Sequence, residues 1–92
     1  MNDNRLYQVG AIIEAILFVA GDSIKIDDLS KAINISKTET ELAIETLKKY
    51  YENNSRGLCL KIFNDNIQLT TKSDYSNYIT RVLQPIQKQN IT

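Results

Sequence analysis

Asp27-Asp28-Leu29-Ser30-Lys31-Ala32-Ile33-Asn34-Ile35-Ser36-Lys37-Thr38-Glu39-Thr40 is the stretch that decides the fold. It holds two helix starts with a turn residue between them. Asp27 and Asp28 place carboxylates in the first turn of a short helix, where the positive end of its dipole favours them. Leu29, Ala32 and Ile33 give that helix a buried edge, and Asn34 tolerates the left-handed conformation that ends it. Ser36 to Glu39 reads as a capping box: the serine caps the next helix, and Glu39 reaches back to it. Ile35 supplies a hydrophobic staple. Thr40, Ala43, Ile44, Leu47 and Tyr51 then share one face at helical spacing, which predicts a long helix from Ser36 to about Asn53.

Upstream, a helix is predicted from about Arg5 to Ala20, with Leu6, Val9, Ile12, Ile13, Ile16, Leu17 and Ala20 as one wide apolar stripe. Gly21 is placed to cap it in the left-handed conformation. The opposite side is also apolar: Tyr7, Ala11, Ala15, Phe18 and Val19 form a second flank, leaving Gln8, Gly10 and Glu14 as the more polar part. Ser23 to Ile26 alternates and reads as a short extended piece.

Downstream, Asn53-Asn54-Ser55-Arg56-Gly57 breaks the third helix. Leu58 to Phe63 and Ile67 to Thr71 alternate around Asn64-Asp65-Asn66, the pattern of a β-hairpin. A last helix opens at Ser73-Asp74 with Tyr75, Tyr78, Ile79, Val82 and Leu83 on its apolar side, and Pro85 is expected to stop it. Three helices, a hairpin and a closing helix define an α+β, mainly α, winged helix-turn-helix. Its core is expected at Ile12, Ile16, Leu29, Ile33, Ile44, Leu47, Leu58, Leu60 and Leu69, each worth about 2–5 kcal/mol on truncation to alanine. Residues 1–84 form the domain and 85–92 a polar linker.

Composition narrows function. The chain has 92 residues, 42% of them hydrophobic, enough for one small core. Val9 to Ala20 is apolar but carries Glu14 and is too short to span a membrane, and it is not read as a signal peptide. Cys59 is the single cysteine, read as a small hydrophobe in a strand, in keeping with a reducing cytoplasm. Histidine is absent, which removes the commonest general base and transition-metal ligand. Asp27-Asp28 reads as a helix-start effect, Asp65 as a turn residue, and the three glycines build no phosphate loop. Neither catalysis, nor a cofactor, nor a metal is expected.

Eleven Lys and Arg balance eleven Asp and Glu. The third helix sits where a winged helix reads DNA, yet Lys37, Lys48 and Lys49 face Glu39, Glu41, Glu45 and Glu52. Such a helix has little attraction for phosphates, and the wing tip offers Asp65 between two asparagines rather than Arg or Lys. Lys48, Lys49, Arg56, Lys61 and Lys72 make at most a modest basic edge. A DNA-binding transcriptional regulator is therefore the alternative, with protein binding ahead of it. The second flank of the first helix is covered either by the last helix or the N-terminal arm of its own domain, or by another protein. Tyr7, Ala11, Ala15, Phe18 and Val19 are the candidate interface, with Leu42 on the outer face of the third helix a weaker one.

Ile16-Leu17-Phe18-Val19-Ala20-Gly21, then Ile24, Asp28-Leu29 and Ile35-Ser36, resemble the N-terminal domain of the segregation and condensation protein B family. So do Arg56-Gly57-Leu58 with Leu60, and Gln68-Leu69-Thr70-Thr71-Lys72 followed by Asp74-Tyr75 and Tyr78. The likeness runs over about residues 6–92. Family members often carry proline at the position of Ser23 and serine or threonine at that of Lys25, so the cap of the second helix is weaker here. Their wing tip is often glycine-rich where this chain has Asn64-Asp65-Asn66. The resemblance implies a non-enzymatic accessory subunit of the bacterial condensin (SMC–kleisin) complex in chromosome condensation and segregation. It implies a cytoplasmic homodimer that binds the kleisin, segregation and condensation protein A, and through it the SMC ATPase. It also implies a second winged-helix domain after the linker, opening near Ile91-Thr92.

Overall fold

The computed structural model describes residues 3–91, with side chains described from 3 to 83. The elements are α1 (Asp3–Ala20), β1 (Ile24–Lys25), α2 (Ile26–Ile33), α3 (Lys37–Asn53), β2 (Leu58–Phe63), β3 (Asn66–Thr71), a 3-10 turn (Ser73–Tyr75) and α4 (Ser76–Ile91). The strands form one antiparallel sheet in the order β1-β3-β2. This is the winged helix-turn-helix.

The local signals act as their chemistry dictates. Asn34 ends α2 at φ 64°, its N–H bonding back to Lys31 and Ser30. Gly21 ends α1 at φ 65°, where a side chain would be strained. Ser36 caps α3, its hydroxyl accepting from the Glu39 N–H at 3.1 Å. Glu39 does not complete the box. Its carboxylate pairs instead with Arg5 of α1 at 3.4 Å, because α1 passes close enough to offer a cation. Lys25 caps α2 without any side-chain bond, the weakness expected from its residue type.

The wing turns on two residues. Asn64 and Asp65 both have positive φ, 48° and 63°, and Phe63 pairs with Asn66 across them. Both central residues of a two-residue hairpin turn need this conformation, and Asn and Asp accept it at low cost. Asn66 thus belongs to β3 rather than the turn. The extended piece before α2 becomes the sheet's third strand, with Ile24 opposite Ile67.

The core lies where α1, α2 and α3 meet the root of the sheet. It comprises Val9, Ile13, Leu17, Ile26, Leu29, Ala43, Ile44, Leu47, Tyr51, Leu60 and Ile67, with Ile16, Ile33, Leu58 and Leu69 half-buried around it. Ile12, expected inside, is 42% exposed. The buried side of α1 is centred on one edge of the expected stripe, so Ile13 and Leu17 face α3 and β3 while Ile12 joins the outer flank. Gly10, expected outside, is buried against Ala43 and Leu47. Two buried hydroxyls tie α2 to α3: Ser30 donates to Thr40 Oγ1 at 2.8 Å, and Thr40 donates on to the Ser36 carbonyl at 2.9 Å.

The last helix differs most from expectation. It runs through Pro85 to Ile91 instead of stopping. A proline inside a helix removes one backbone bond, here the one to the Arg81 carbonyl, and a helix with turns on both sides can survive that loss. The segment expected as a polar linker is therefore helical as far as Ile91; Thr92, the expected start of a further domain, lies outside the described residues. The principal contact of α4 is the 3-10 turn that leads into it. Tyr75, Tyr78, Val82 and Leu83 stay exposed, so the apolar side of α4 does not cover α1.

Candidate interaction surface

At about 100° per residue, Tyr7, Ala11, Ala15, Phe18 and Val19 occupy the side of α1 opposite Val9, Ile13 and Leu17. All five are open to solvent; Tyr7 is 64%, Phe18 75% and Val19 83% exposed. Ile12 extends this flank. A helix apolar nearly all the way round is normally buried all the way round, and here only one side is. Leu42 stands apart, half exposed on the outer face of α3.

Two hollows flank this strip. The first, about 200 Å³, lies between α1 and the second half of α3, lined by Leu6, Tyr7, Gly10 and Ala11 against Thr46, Leu47 and Tyr50. The second, about 270 Å³, lies between α1 and the hairpin root, where Ala15 and Phe18 face Tyr51, Leu58 and Leu69. Glu14 lines both. Its carboxylate accepts a hydrogen bond from the Tyr51 hydroxyl. Burial pushes the Tyr51 phenol well above its ordinary range, and the bond to Glu14 pushes it further the same way. The Tyr50 ring stands edge-on to Tyr51 at 5.6 Å. Tyr50 and Ile12 were missed as surface residues by the sequence. Glu14 was visible there as the one charge in an apolar helix, but not its role as the wall between two hollows.

The face that reads DNA in other winged helices is built differently. Lys37 Nζ, at the start of α3, bonds to Asp65 of the wing tip at 2.9 Å and sits 3.5 Å from Asp27 of α2. The Asp65 hydrogen bond raises the amine above its ordinary range, with Asp27 and the charge of Asp65 adding to it. One cation is thus held by two carboxylates. Glu41 and Glu45 lie exposed further along the same helix. Asp27 and Asp65 are both engaged by this lysine, and Cys59 Sγ lies 3.3 Å from Thr70 Oγ1. Among the described residues no His, Cys, Asp or Glu cluster could hold a metal, and no helix is long and apolar enough to cross a membrane.

These features define a winged-helix domain with an open apolar flank on α1 and a third helix that carries more carboxylates than cations. The chain belongs to the family described as segregation and condensation complex subunit ScpB, whose family model matches residues 11–92. Segregation and condensation protein B of Caldanaerobacter subterraneus is 35% identical over 72 residues, covering 78% of this chain and 43% of that protein. The Acetivibrio thermocellus protein of the same name is 32% identical over 88 residues, covering 95% of this chain and 44% of its own length. The chain thus spans less than half the length of these curated relatives. Among solved structures, a dimer of an ScpB N-terminal domain complexed with ScpA peptide superposes with a TM-score of 0.79 at 28% identity, covering 85% of this chain and 98% of that one. ScpB from Mycobacterium tuberculosis, at 16% identity and a TM-score of 0.78, shares the fold over 92% of this chain and 51% of its own.

Proposed function

We propose that this domain is the N-terminal winged helix of a non-enzymatic accessory subunit of the bacterial condensin complex. It pairs with a second copy and, with a further winged-helix domain opening near Thr92, forms a platform for the kleisin, segregation and condensation protein A. Through that kleisin it works with the SMC ATPase in the cytoplasm, at the nucleoid, in chromosome condensation and segregation. One observation carries the reading: the flank of α1 around Ala11, Ala15 and Phe18 lies open on a winged helix of zero net charge. The similarity to an ScpB N-terminal domain whose dimer was seen with ScpA peptide supports it.

The flank of Tyr7, Ala11, Ala15, Phe18 and Val19 is the pairing surface in this proposal, with Leu42 a peripheral kleisin contact. Light scattering on the chain tests it. A dimer is expected, reduced to monomer by Phe18→Asp, together with saturable binding of a kleisin peptide by calorimetry. A strict monomer that ignores the peptide but shifts random duplex in a steeply salt-dependent manner would overturn the proposal in favour of a DNA-binding regulator.

A further inference from the structure

The wing carries an edge that nothing in the chain pairs. In the order β1-β3-β2, β3 has a strand on each side and β2 has one on a single side. Gly57 accepts from the Lys72 N–H at 2.9 Å, and Phe63 pairs with Asn66 across the turn, which sets the phase of the ladder. Cys59, Lys61 and Phe63 therefore turn their backbone groups to β3, while Leu58, Leu60 and Ile62 turn theirs outward. Among the described residues, no other element's backbone bonds to those outward groups. We infer that this edge takes β2 of a second copy, antiparallel and centred on Leu60. The contact uses the wing alone and stands apart from the α1 flank proposed above for pairing.

The residues of β2 select that register. Outward groups meet outward groups only if the two strands centre on Cys59, Leu60 or Lys61. Centring on Lys61 sets two ammonium groups directly opposite each other, which is unfavourable. Centring on Cys59 leaves Ile62 and Phe63 beyond the end of the partner strand. Centring on Leu60 uses the whole strand: Leu60 meets Leu60 and Leu58 meets Ile62, with about six backbone bonds in all. Lys61, the one charge in β2, then stands opposite Cys59 rather than its own copy. A charge on an exposed edge guards against casual pairing, and here it leaves one alignment open. The same alignment seats the two large side chains that the wing leaves out, Ile62 at 43% and Phe63 at 48% exposed. Ile62 of one copy comes beside the other's Leu58, which lines the hollow at the hairpin root with Leu69. Phe63 comes over Gly57, where an added Cβ would find nothing within 4 Å, so the ring has room against bare backbone. One strand pair falls well below a standard-size interface. The contact is therefore weak and forms where copies are already concentrated.

Oxidative cross-linking tests the arrangement. Cys59 and the partner copy's residue 61 would face each other at a pair without mutual backbone bonds, where Cα atoms lie about 4.5 Å apart, within disulfide range. Lys61→Cys, with the native Cys59 kept, should form covalent dimers about tenfold faster than Lys49→Cys, a control thiol at an exposed position on α3. Adding Cys59→Ser to Lys61→Cys should remove the link. Adding Ile62→Pro should remove it too, because proline deletes an outward N–H and spares the ladder to β3; circular dichroism checks that each variant is folded. Ala11→Glu, which disrupts the α1 flank away from the hairpin root, should leave the link in place, so this contact and the pairing proposed above fail separately. A link that survives Cys59→Ser or Ile62→Pro, that vanishes with Ala11→Glu, or that forms no faster than in Lys49→Cys would overturn the inference. The edge would then be left to an extended segment of a different protein.

Discussion

The two sides of α1 are built from the same kinds of residue and end differently. Val9, Ile13 and Leu17 are enclosed by α3 and β3, whereas Phe18, Val19 and Ile12 face water. Side-chain chemistry does not separate them; the elements opposite do. α3 and the sheet root cover one side of the helix, and α4, the one remaining element that could cover the other, leads off elsewhere. Hydrophobic surface left over by a fold therefore carries information about assembly that the buried side cannot.

The sharpest way to break that comparison is to truncate one residue on each side. Ile13→Ala should cost about 2–5 kcal/mol in denaturant unfolding, because the surrounding core cannot collapse fully into the space. That is a large share of the total stability of a small domain. Phe18→Ala, measured at concentrations low enough to keep copies apart, should stay within about 0.5 kcal/mol of the parent. Similar losses at the two positions would mean that the outer flank is covered within the chain.

Tyr51 marks the seam between the sides, buried in the core with its hydroxyl on Glu14 of the outer hollows. Tyr51→Phe should cost about 1 kcal/mol near neutral pH, the usual net worth of such a bond. The sign of its pH dependence follows from the raised phenol. The folded chain keeps that proton where the unfolded chain releases it, at about pH 10. The contribution is complete below that point and is lost as pH rises beyond it. The parent should therefore lose stability more steeply than Tyr51→Phe in alkaline unfolding series, and parallel profiles would show that the seam is open to water.

Much of this was legible in the sequence, and what was not shares a cause. Asn34, Gly21, Ser36 and the Asn64-Asp65 turn act through their own backbone, so their signals are local and survive folding unchanged. The outer flank was legible because helical period alone places Tyr7, Ala11, Ala15 and Phe18 together. The phase of the inner side was not: apolar residues run almost around α1, so only the position of α3 selects Ile13 over Ile12. The same holds for Ile67 over Leu69 in β3, which is decided by where α1 crosses the sheet. The hollows, the Arg5–Glu39 pair and the Lys37 contacts join residues distant in the chain, and no local pattern announces them. Pro85 misled because a proline weakens a helix without fixing where it ends.

Gly10 sharpens the inner side. It lies at the α1–α3 contact, yet an added Cβ would meet the Ala43 carbonyl at 3.8 Å and Leu47 Cβ at 3.9 Å, ordinary contact distances. Its φ is that of a helix, so the glycine carries an entropic penalty with no steric return. Gly10→Ala should stabilise the chain by about 0.5–1 kcal/mol in thermal or denaturant unfolding. A loss would mean that the helices meet more closely than these distances imply.

The smallest effect is expected from the most densely charged contact. Lys37 joins α3, α2 and the wing tip through Asp27 and Asp65, but all three side chains are open to water. Solvent screening leaves exposed pairs with little net worth. The hairpin is anchored independently: the Ile26 N–H donates to the Asp65 carbonyl at 2.9 Å, and β1 pairs with β3 beside it. Lys37→Met should therefore leave the unfolding midpoint at physiological salt indistinguishable from the parent, with a slight loss emerging only as salt is lowered. A large loss at every salt concentration would make the wing dependent on this cation. The contrast between enclosed contacts that hold the fold and open ones that add little to it would then fail at the wing.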